Sequence, residues 1–320
     1  MKTILLTTTA LVAFAGAAAA DGHTSVSFSG AASAEYNSLG GFNTDADLDA
    51  TMSAELDNGL TVSTTLSFDT ANYGSIADGT VAGSLTLSSD TASLTFGNDI
   101  TSASFSAVGD TIAFGDGEDG NQGVIGSYTM GAGTLFVSMP IATAATEVLS
   151  TDIEVGVTAA VGAMTVGLAM ADSNFVGKVS GTASGLSYTV AAGSVDDANR
   201  WDVAVSYPAG PVTVGYTVDD SEAWEVSAAY AAGAVAAELT YNSDEVYDIE
   251  ASYDAGNGLV AYVGMLNSGD DTYLGAAYSL GGGASAYASY VKDTGTQNAD
   301  NEIGANDYAR GTTVGVSFTF

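Results

Sequence analysis

The strongest constraint on the fold is a strict alternation of apolar and polar residues near the start of the chain. Between residues 45 and 56 every even position is Ala, Leu or Met, and every odd position is Asp, Glu, Ser or Thr. A period of two residues is that of a β-strand with one apolar and one polar face. The turn signal Asp57-Asn58-Gly59 follows. Pairing Leu56 with Leu60 keeps one face apolar across this turn, so we predict a hairpin with about ten residues per strand.

The same pattern of short turns continues to the C-terminus. Eight further turn signals lie at residues 89–91, 131–133, 161–163, 184–186, 208–210, 231–233, 254–258 and 280–283. Together with the first hairpin they imply ten hairpins, or up to twenty strands, and a lower count of eighteen remains open. More polar connectors, some of them long, join one hairpin to the next. Short turns at one end and longer loops at the other are typical of a transmembrane antiparallel β-barrel.

A weak internal repeat supports this architecture. The segments WDVAVSYPAG, WEVSAAYAAG and YDIEASYDAG begin at Trp201, Trp224 and Tyr247, which are 23 residues apart. One unit has the length of one hairpin. Aromatic residues at both ends of each segment are what the two interfacial girdles of a membrane barrel require.

Composition excludes several classes of protein. The chain of 320 residues carries 38 acidic and 5 basic side chains, and its formal charge is −33. A field of that sign repels phosphate backbones, so we expect no nucleic-acid partner. There is no Cys, and the single His, His23, lies near the N-terminus without an obvious catalytic partner. Thiolate chemistry is therefore excluded and a His-dependent triad is not expected, so the sequence predicts a protein that is not an enzyme.

The N-terminal segment has the features of a secretory signal peptide. Lys2 supplies a positive charge, a short apolar run follows it, and Ala18-Ala19-Ala20 fits a cleavage site before Asp21. The apolar run is too short for a transmembrane helix. We therefore expect residues 1–20 to be removed and residues 21–320 to form the barrel. The loss of Lys2 would change the formal charge from −33 to −34.

The distribution of residues between the two strand faces favours a bilayer over a soluble sandwich. The expected outer face is small and aliphatic, with Tyr, Trp and Phe concentrated at strand ends. The expected inner face is rich in Asp, Glu, Ser and Thr, which a dry core would accommodate only at a heavy cost. A water-filled lumen accepts these residues. A secreted or surface-layer acidic β protein without channel activity is the alternative.

Four stretches resemble the alphaproteobacterial, Rhodobacter-like general porin family of Gram-negative outer membranes. They are AELDNGLTVS from Ala54, ASLTFGND from Ala92, the hairpin from Ala276 to Asp293, and the C-terminal strand ending in Phe320. The resemblance implies about 16 strands, an outer-membrane homotrimer, and passive diffusion of ions and small hydrophilic solutes. It also implies that a third loop folds into the lumen. The arginine cluster that family members often place opposite this loop is missing, because the chain has almost no arginine.

The third loop, at about residues 98–122, carries the acids expected to form the pore constriction. These are Asp99, Asp110, Asp116, Glu118 and Asp119. On this interpretation they present negative charge to passing solutes; a solvated surface loop is the alternative. Clustered carboxylates on a Gly-rich loop also suit Ca²⁺, with Asp116, Glu118 and Asp119 as candidate ligands. The alternative is that these acids attract cations diffusely and that the protein has no bound cofactor.

The expected lumen wall carries further charges, selected by their position on the polar face of each strand. They are Asp45, Asp47, Asp49, Glu55, Lys178, Arg200, Asp202, Glu225 and Asp248. The last three follow the aromatic residue of each repeat and should form an acidic arc near the loop side. Lys178 and Arg200 could be the remnant of a basic wall or members of simple salt bridges. Because acids predominate, the sequence predicts a pore that prefers cations.

Overall fold

The barrel wall consists of antiparallel strands. A computed structural model describes residues 24–69, 81–97, 122–141, 153–171, 174–195, 198–292 and 310–320. These residues form twenty β-strands and one short 3₁₀ turn at Asn267–Gly269. Over these ranges, no helix has the length and apolar character needed to cross a bilayer.

The strands follow one another along the chain with short gaps. They are β1 (Thr24–Asn37), β2 (Gly41–Glu55), β3 (Thr61–Asp69), β4 (Val81–Ser88), β5 (Ala92–Gly97), β6 (Gln122–Met130), β7 (Gly133–Ile141), β8 (Glu154–Val161), β9 (Met164–Ala171), β10 (Asn174–Ala183), β11 (Leu186–Val195), β12 (Ala198–Ala209), β13 (Val212–Asp219), β14 (Trp224–Ala232), β15 (Val235–Asn242), β16 (Tyr247–Gly256), β17 (Leu259–Leu266), β18 (Asp271–Gly281), β19 (Ala284–Lys292) and β20 (Gly311–Thr319).

The sheet closes on itself. Each strand pairs antiparallel with its successor, and β20 pairs with β1 from Ala31↔Thr319 to Asn37↔Thr313. The backbones of Gly30 and Phe320 exchange two hydrogen bonds of 3.0 Å and extend this seam by one more pair. Closure gives hydrogen-bond partners to the backbone N–H and C=O groups that the edge strands of an open sheet would expose. Twenty strands agree with the turn count and exceed the about 16 that the family resemblance implies.

The short turns lie where the sequence predicts them. In the first, Leu56 N–H donates to the Leu60 carbonyl at 2.7 Å, and Ala54 lies opposite Val62 as the expected register requires. Gly59 occupies this turn with a φ of 79°, a conformation that a side chain would strain. The other eight turn signals likewise join β4 to β5, β6 to β7, and so on to β18 and β19. The turn end and the loop end of the barrel are thus distinct.

The two faces of the wall differ sharply in composition. We call the face that carries Leu48, Val157, Leu168 and Leu274 the apolar face, and its opposite the polar face. Large side chains on the apolar face are exposed; Leu168 is 56% and Leu274 61% accessible. In the described part of the chain, the buried apolar residues lie instead at polar-face positions, as Val176 and Tyr273 do. A soluble sandwich would bury its apolar face, so this arrangement is that of a barrel whose outside contacts lipid.

Candidate functional site: the polar face of the barrel

The four acids predicted on the second strand lie together on the polar face of β2. Asp45 pairs with Ser33, Asp47 with Ala31, and Asp49 with Ser29, all of which are polar-face positions of β1. The Ser67 hydroxyl donates to Asp49 Oδ1 at 2.6 Å, which fixes that carboxylate. Glu55 lies opposite Thr61 at the turn end. The acids therefore run along almost the whole length of one strand.

The predicted acidic arc lies near the loop end of three alternate strands. Asp202 of β12, Glu225 of β14 and Asp248 of β16 each follow the aromatic residue of one repeat, on the polar face. Asp202 lies directly opposite another acid, Asp219 of β13. Asp248 Oδ1 accepts a hydrogen bond from the Asn267 backbone N–H at 2.7 Å. The three carboxylates thus share one end of the wall.

Each short loop of the repeat is hydrogen-bonded to the aromatic residue that begins the hairpin before it. The backbone N–H of Asp220 donates to the Trp201 carbonyl at 2.9 Å, and that of Ser243 donates to the Trp224 carbonyl at 2.8 Å. At the third position, the Tyr247 hydroxyl donates to the Ser268 carbonyl at 3.0 Å. Each loop is therefore held against the residue that directly precedes an acid of the arc.

The two predicted basic residues are also on the polar face. Lys178 of β10 lies opposite Gly167 and Ala191, and Arg200 of β12 lies opposite Gly193. Arg200 Nη1 is 3.4 Å from Asp220 Oδ2, and both side chains are partly exposed. Arg200 therefore forms a salt bridge, and a role of Arg200 or Lys178 in a basic wall stays a prediction. Half-exposed ion pairs of this kind contribute little to stability, but this one neutralises an acid at the rim.

Several predicted positions lie outside the described residues. These are the signal peptide and the third-loop acids Asp99, Asp110, Asp116, Glu118 and Asp119, including the three candidate Ca²⁺ ligands. Within the described ranges, no three potential ligands among His, Cys, Asp and Glu converge as a metal site would require. The constriction and the calcium site both stay predictions.

A cluster of inward tyrosines is the feature that sequence reasoning missed. Tyr262, Tyr273 and Tyr287 lie at polar-face positions of β17, β18 and β19, although most aromatic residues lie on the apolar face. Tyr273 is only 3% exposed and packs with Tyr262, Leu266 and Val291. We call the set of three tyrosines and two aliphatic residues the tyrosine wall: Tyr262, Leu266, Tyr273, Tyr287 and Val291. The signal that could have found Tyr273, Tyr287 and Val291 is their odd numbering, because the even positions of β18 and β19 are on the apolar face.

Glycines on adjacent strands make room for two of these rings. Tyr273 lies opposite Gly264 and Tyr287 opposite Gly315, and a Cβ atom at either glycine would overlap the ring. Beyond Gly315, the Tyr287 hydroxyl donates to Glu35 Oε2 of β1 at 2.8 Å. One side chain of β19 thus crosses β20 and reaches β1. This part of the wall is packed like a protein core, whereas β2 is open.

A closed barrel with an exposed apolar outside and a hydroxyl- and carboxylate-lined inside defines a transmembrane β-barrel with a hydrated interior. The comparison with protein families is consistent with that class. The family model described as Gram-negative porin matches residues 7–320. The chain therefore belongs to the Gram-negative porin family; it is a channel protein of the outer membrane rather than an enzyme. The alternative of a secreted acidic protein without a channel is not supported.

Solved structures similar to the chain include two engineered variants of Rh. blastica porin. One is 17% identical with a TM-score of 0.46, and the other, a triple mutant of the Rhodopseudomonas blastica protein, is 16% identical with a TM-score of 0.43. A third, titled for asymmetric conductivity of engineered proteins, is 15% identical with a TM-score of 0.47. Each comparison covers 92% of this chain and 100% of the other. No curated protein matches the chain.

Proposed function

We propose that this porin lets ions and small hydrophilic solutes diffuse passively and that it prefers cations. The observation that supports the cation preference is the excess of acidic over basic side chains on the polar face. Seven acids predicted for the lumen wall lie there, against Lys178 and Arg200. Asp220 already neutralises Arg200. The net field on a solute in the lumen is therefore negative.

The range of this field supports selectivity rather than tight binding. In ~0.15 M salt the Debye length is ~8 Å, so a wall carboxylate acts on ions that pass near it but not across a wide lumen. Serine and threonine surround the acids, as at Ser29 and Ser67 beside Asp49. Such a surface holds water and offers hydrogen bonds to any hydrophilic solute. The proposal is therefore a general diffusion pore with a charge bias.

The decisive measurement is the reversal potential of the purified protein in a planar bilayer under a KCl gradient. We expect the sign that corresponds to K⁺ preference at ~0.1 M salt. We also expect the preference to weaken near 1 M salt, where the Debye length falls to ~3 Å. Anion preference, or a cation preference that salt does not change, would refute the electrostatic mechanism. Absence of any conductance would refute the channel itself.

We further propose that the barrels assemble as homotrimers. Support for this part comes from membership of the porin family, whose members the sequence resembles in several strands. The same bilayer recording tests it, because a trimer enters the membrane as one unit and adds conductance in multiples of three. Mass measurement of the detergent complex is an independent check. A monomeric mass with single-unit conductance steps would contradict the assembly while leaving the diffusion pore intact.

A further inference from the structure

One charge breaks the pattern of the apolar face. Lys292 lies opposite Thr272, and the next pair on that face, Tyr290 with Leu274, is apolar. Within the described strands, Lys292 is the one charged residue at an apolar-face position. A charge on the lipid side of a barrel costs about 2–4 kcal/mol at the bilayer midplane but about 0–1 kcal/mol near the interface. Lys292 is the last residue of β19, at the loop end, where this cost is smallest.

A second cation flanks it. Val291 pairs with Gly311, and Arg310 directly precedes Gly311, so the two cations flank the last pair of β19 and β20. Both side chains are exposed. Among the described residues, neither cation has an ion-pair partner within 4.0 Å, in contrast to Arg200 with Asp220. Two of the five basic residues of a chain with 38 acids are thus neighbours. Two cations at one end of a strand pair repel each other, and an anion bound near both would offset that repulsion.

The backbone around Arg310 is held in place from β1. Asn37, only 7% exposed, donates from Nδ2 to the Arg310 carbonyl at 2.9 Å and to Thr313 Oγ1 at 2.8 Å. Its Oδ1 accepts the N–H groups of Leu39 and Gly40. Gly311, with a φ of 98°, lets the chain approach this turn, because a Cβ atom there would meet Ser38 Oγ at 2.6 Å. The rim that carries Arg310 is therefore preorganised.

Below the two cations lies an unusually exposed apolar surface. Tyr36, Leu39, Phe42 and Tyr290 are 54%, 69%, 64% and 56% accessible, and all are near the loop end of β1, β2 and β19. Tyr36 pairs with Phe42 on the apolar face, and Leu39 lies in the turn between their strands. Aromatic residues at this level mark the boundary between acyl chains and headgroups. Cations immediately above that boundary face the phosphate layer.

We propose that Lys292, Arg310 and this aromatic rim form a docking surface for a phosphate-bearing lipid of the leaflet on the loop side. Lys292 supplies a point charge, Arg310 can bind two phosphate oxygens at once, and the rim packs against the acyl chains. The formal charge of −33 would otherwise repel such a lipid. A specific basic pair thus recruits an anionic lipid to one sector of an acidic protein. The inference depends on outer-membrane placement and not on the ion preference of the pore.

The test is a lipid titration of the full-length protein followed by native mass spectrometry in detergent. The probes are phosphatidic acid and phosphatidylcholine with identical acyl chains. We expect the first phosphatidic acid to bind more tightly than phosphatidylcholine. Lys292→Gln with Arg310→Gln should weaken that binding by about fivefold for each cation removed. The matched control, Lys178→Gln with Arg200→Gln, removes the same net charge elsewhere and should leave the preference unchanged.

The contrary outcomes are distinct. The proposal fails if the wild type shows no preference, if the double variant keeps it, or if the control loses it equally. It also fails if equimolar inorganic phosphate displaces the lipid, since the site would then recognise free phosphate. Heat-modified gel mobility checks that each variant is folded. Should the double variant misfold, Lys292→Gln alone must weaken binding and Lys292→Arg must restore it.

Discussion

The two sides of the inner wall are built on different principles. Along β2, carboxylates and hydroxyls project from a strand whose polar face is open, as Asp45 and Asp47 are exposed. Along β17–β19, Tyr262 and Tyr273 are almost fully buried on the same face. The first surface holds water and charge, while the second fills space beside the strands that close the barrel. Polar-face position therefore does not by itself assign a residue to the permeation path.

The largest expected effect is overpacking of the tyrosine wall. Gly264→Ala would place a methyl group inside the ring of the buried Tyr273, and a packed site of this kind loses about 1–3 kcal/mol of stability. Gly126→Ala is the matched control, because a Cβ atom there finds its nearest neighbours at 3.8 Å. Thermal unfolding in detergent, followed by heat-modified gel mobility, should show a lower Tm for the first variant alone. Equal Tm values for the two variants would contradict the packed-wall interpretation.

A smaller loss of stability is expected from the clamp across β20. Tyr287→Phe removes the donor to Glu35 Oε2, and a hydrogen bond to a charged group is worth about 1.5–3 kcal/mol when buried, and less here because Glu35 is partly exposed. Tyr278→Phe is the control, since that tyrosine lies on the apolar face and is exposed. The same unfolding assay should give a lower Tm for Tyr287→Phe than for the control. If the two Tm values coincide, the hydroxyl bridge does not hold the seam.

The different success of prediction at these two regions has a physical cause. Turns and alternation are local, so residues near Asp57 suffice to predict a hairpin and its register. Strand number follows in the same way, by counting turns. The tyrosine wall depends on which side chain meets which glycine across a strand pair, and alternation alone does not contain that information. The Asn37 contact with Thr313 joins positions 276 residues apart, so no local pattern could indicate it.

The smallest expected effect is a change in ion selectivity, and it should distinguish the open side of the inner wall at β2 from the packed side at β17–β19. Asp45→Asn with Glu55→Gln should reduce the cation-to-anion permeability ratio by roughly twofold and leave Tm nearly unchanged, because both side chains are exposed on the polar face of β2 and contribute charge rather than packing. Glu35→Gln should show the reverse, a smaller change in the ratio and a larger change in Tm, because Tyr287 holds that carboxylate.

Asp244→Asn with Asp270→Asn neutralises two exposed loop acids as a charge-matched control. If the control changes the ratio as much as the β2 pair does, selectivity depends on total charge and the open wall has no special part in it. If Glu35→Gln instead matches the β2 pair in both the permeability ratio and Tm, the open and the packed side contribute equally to selectivity. The distinction between them then does not extend to permeation.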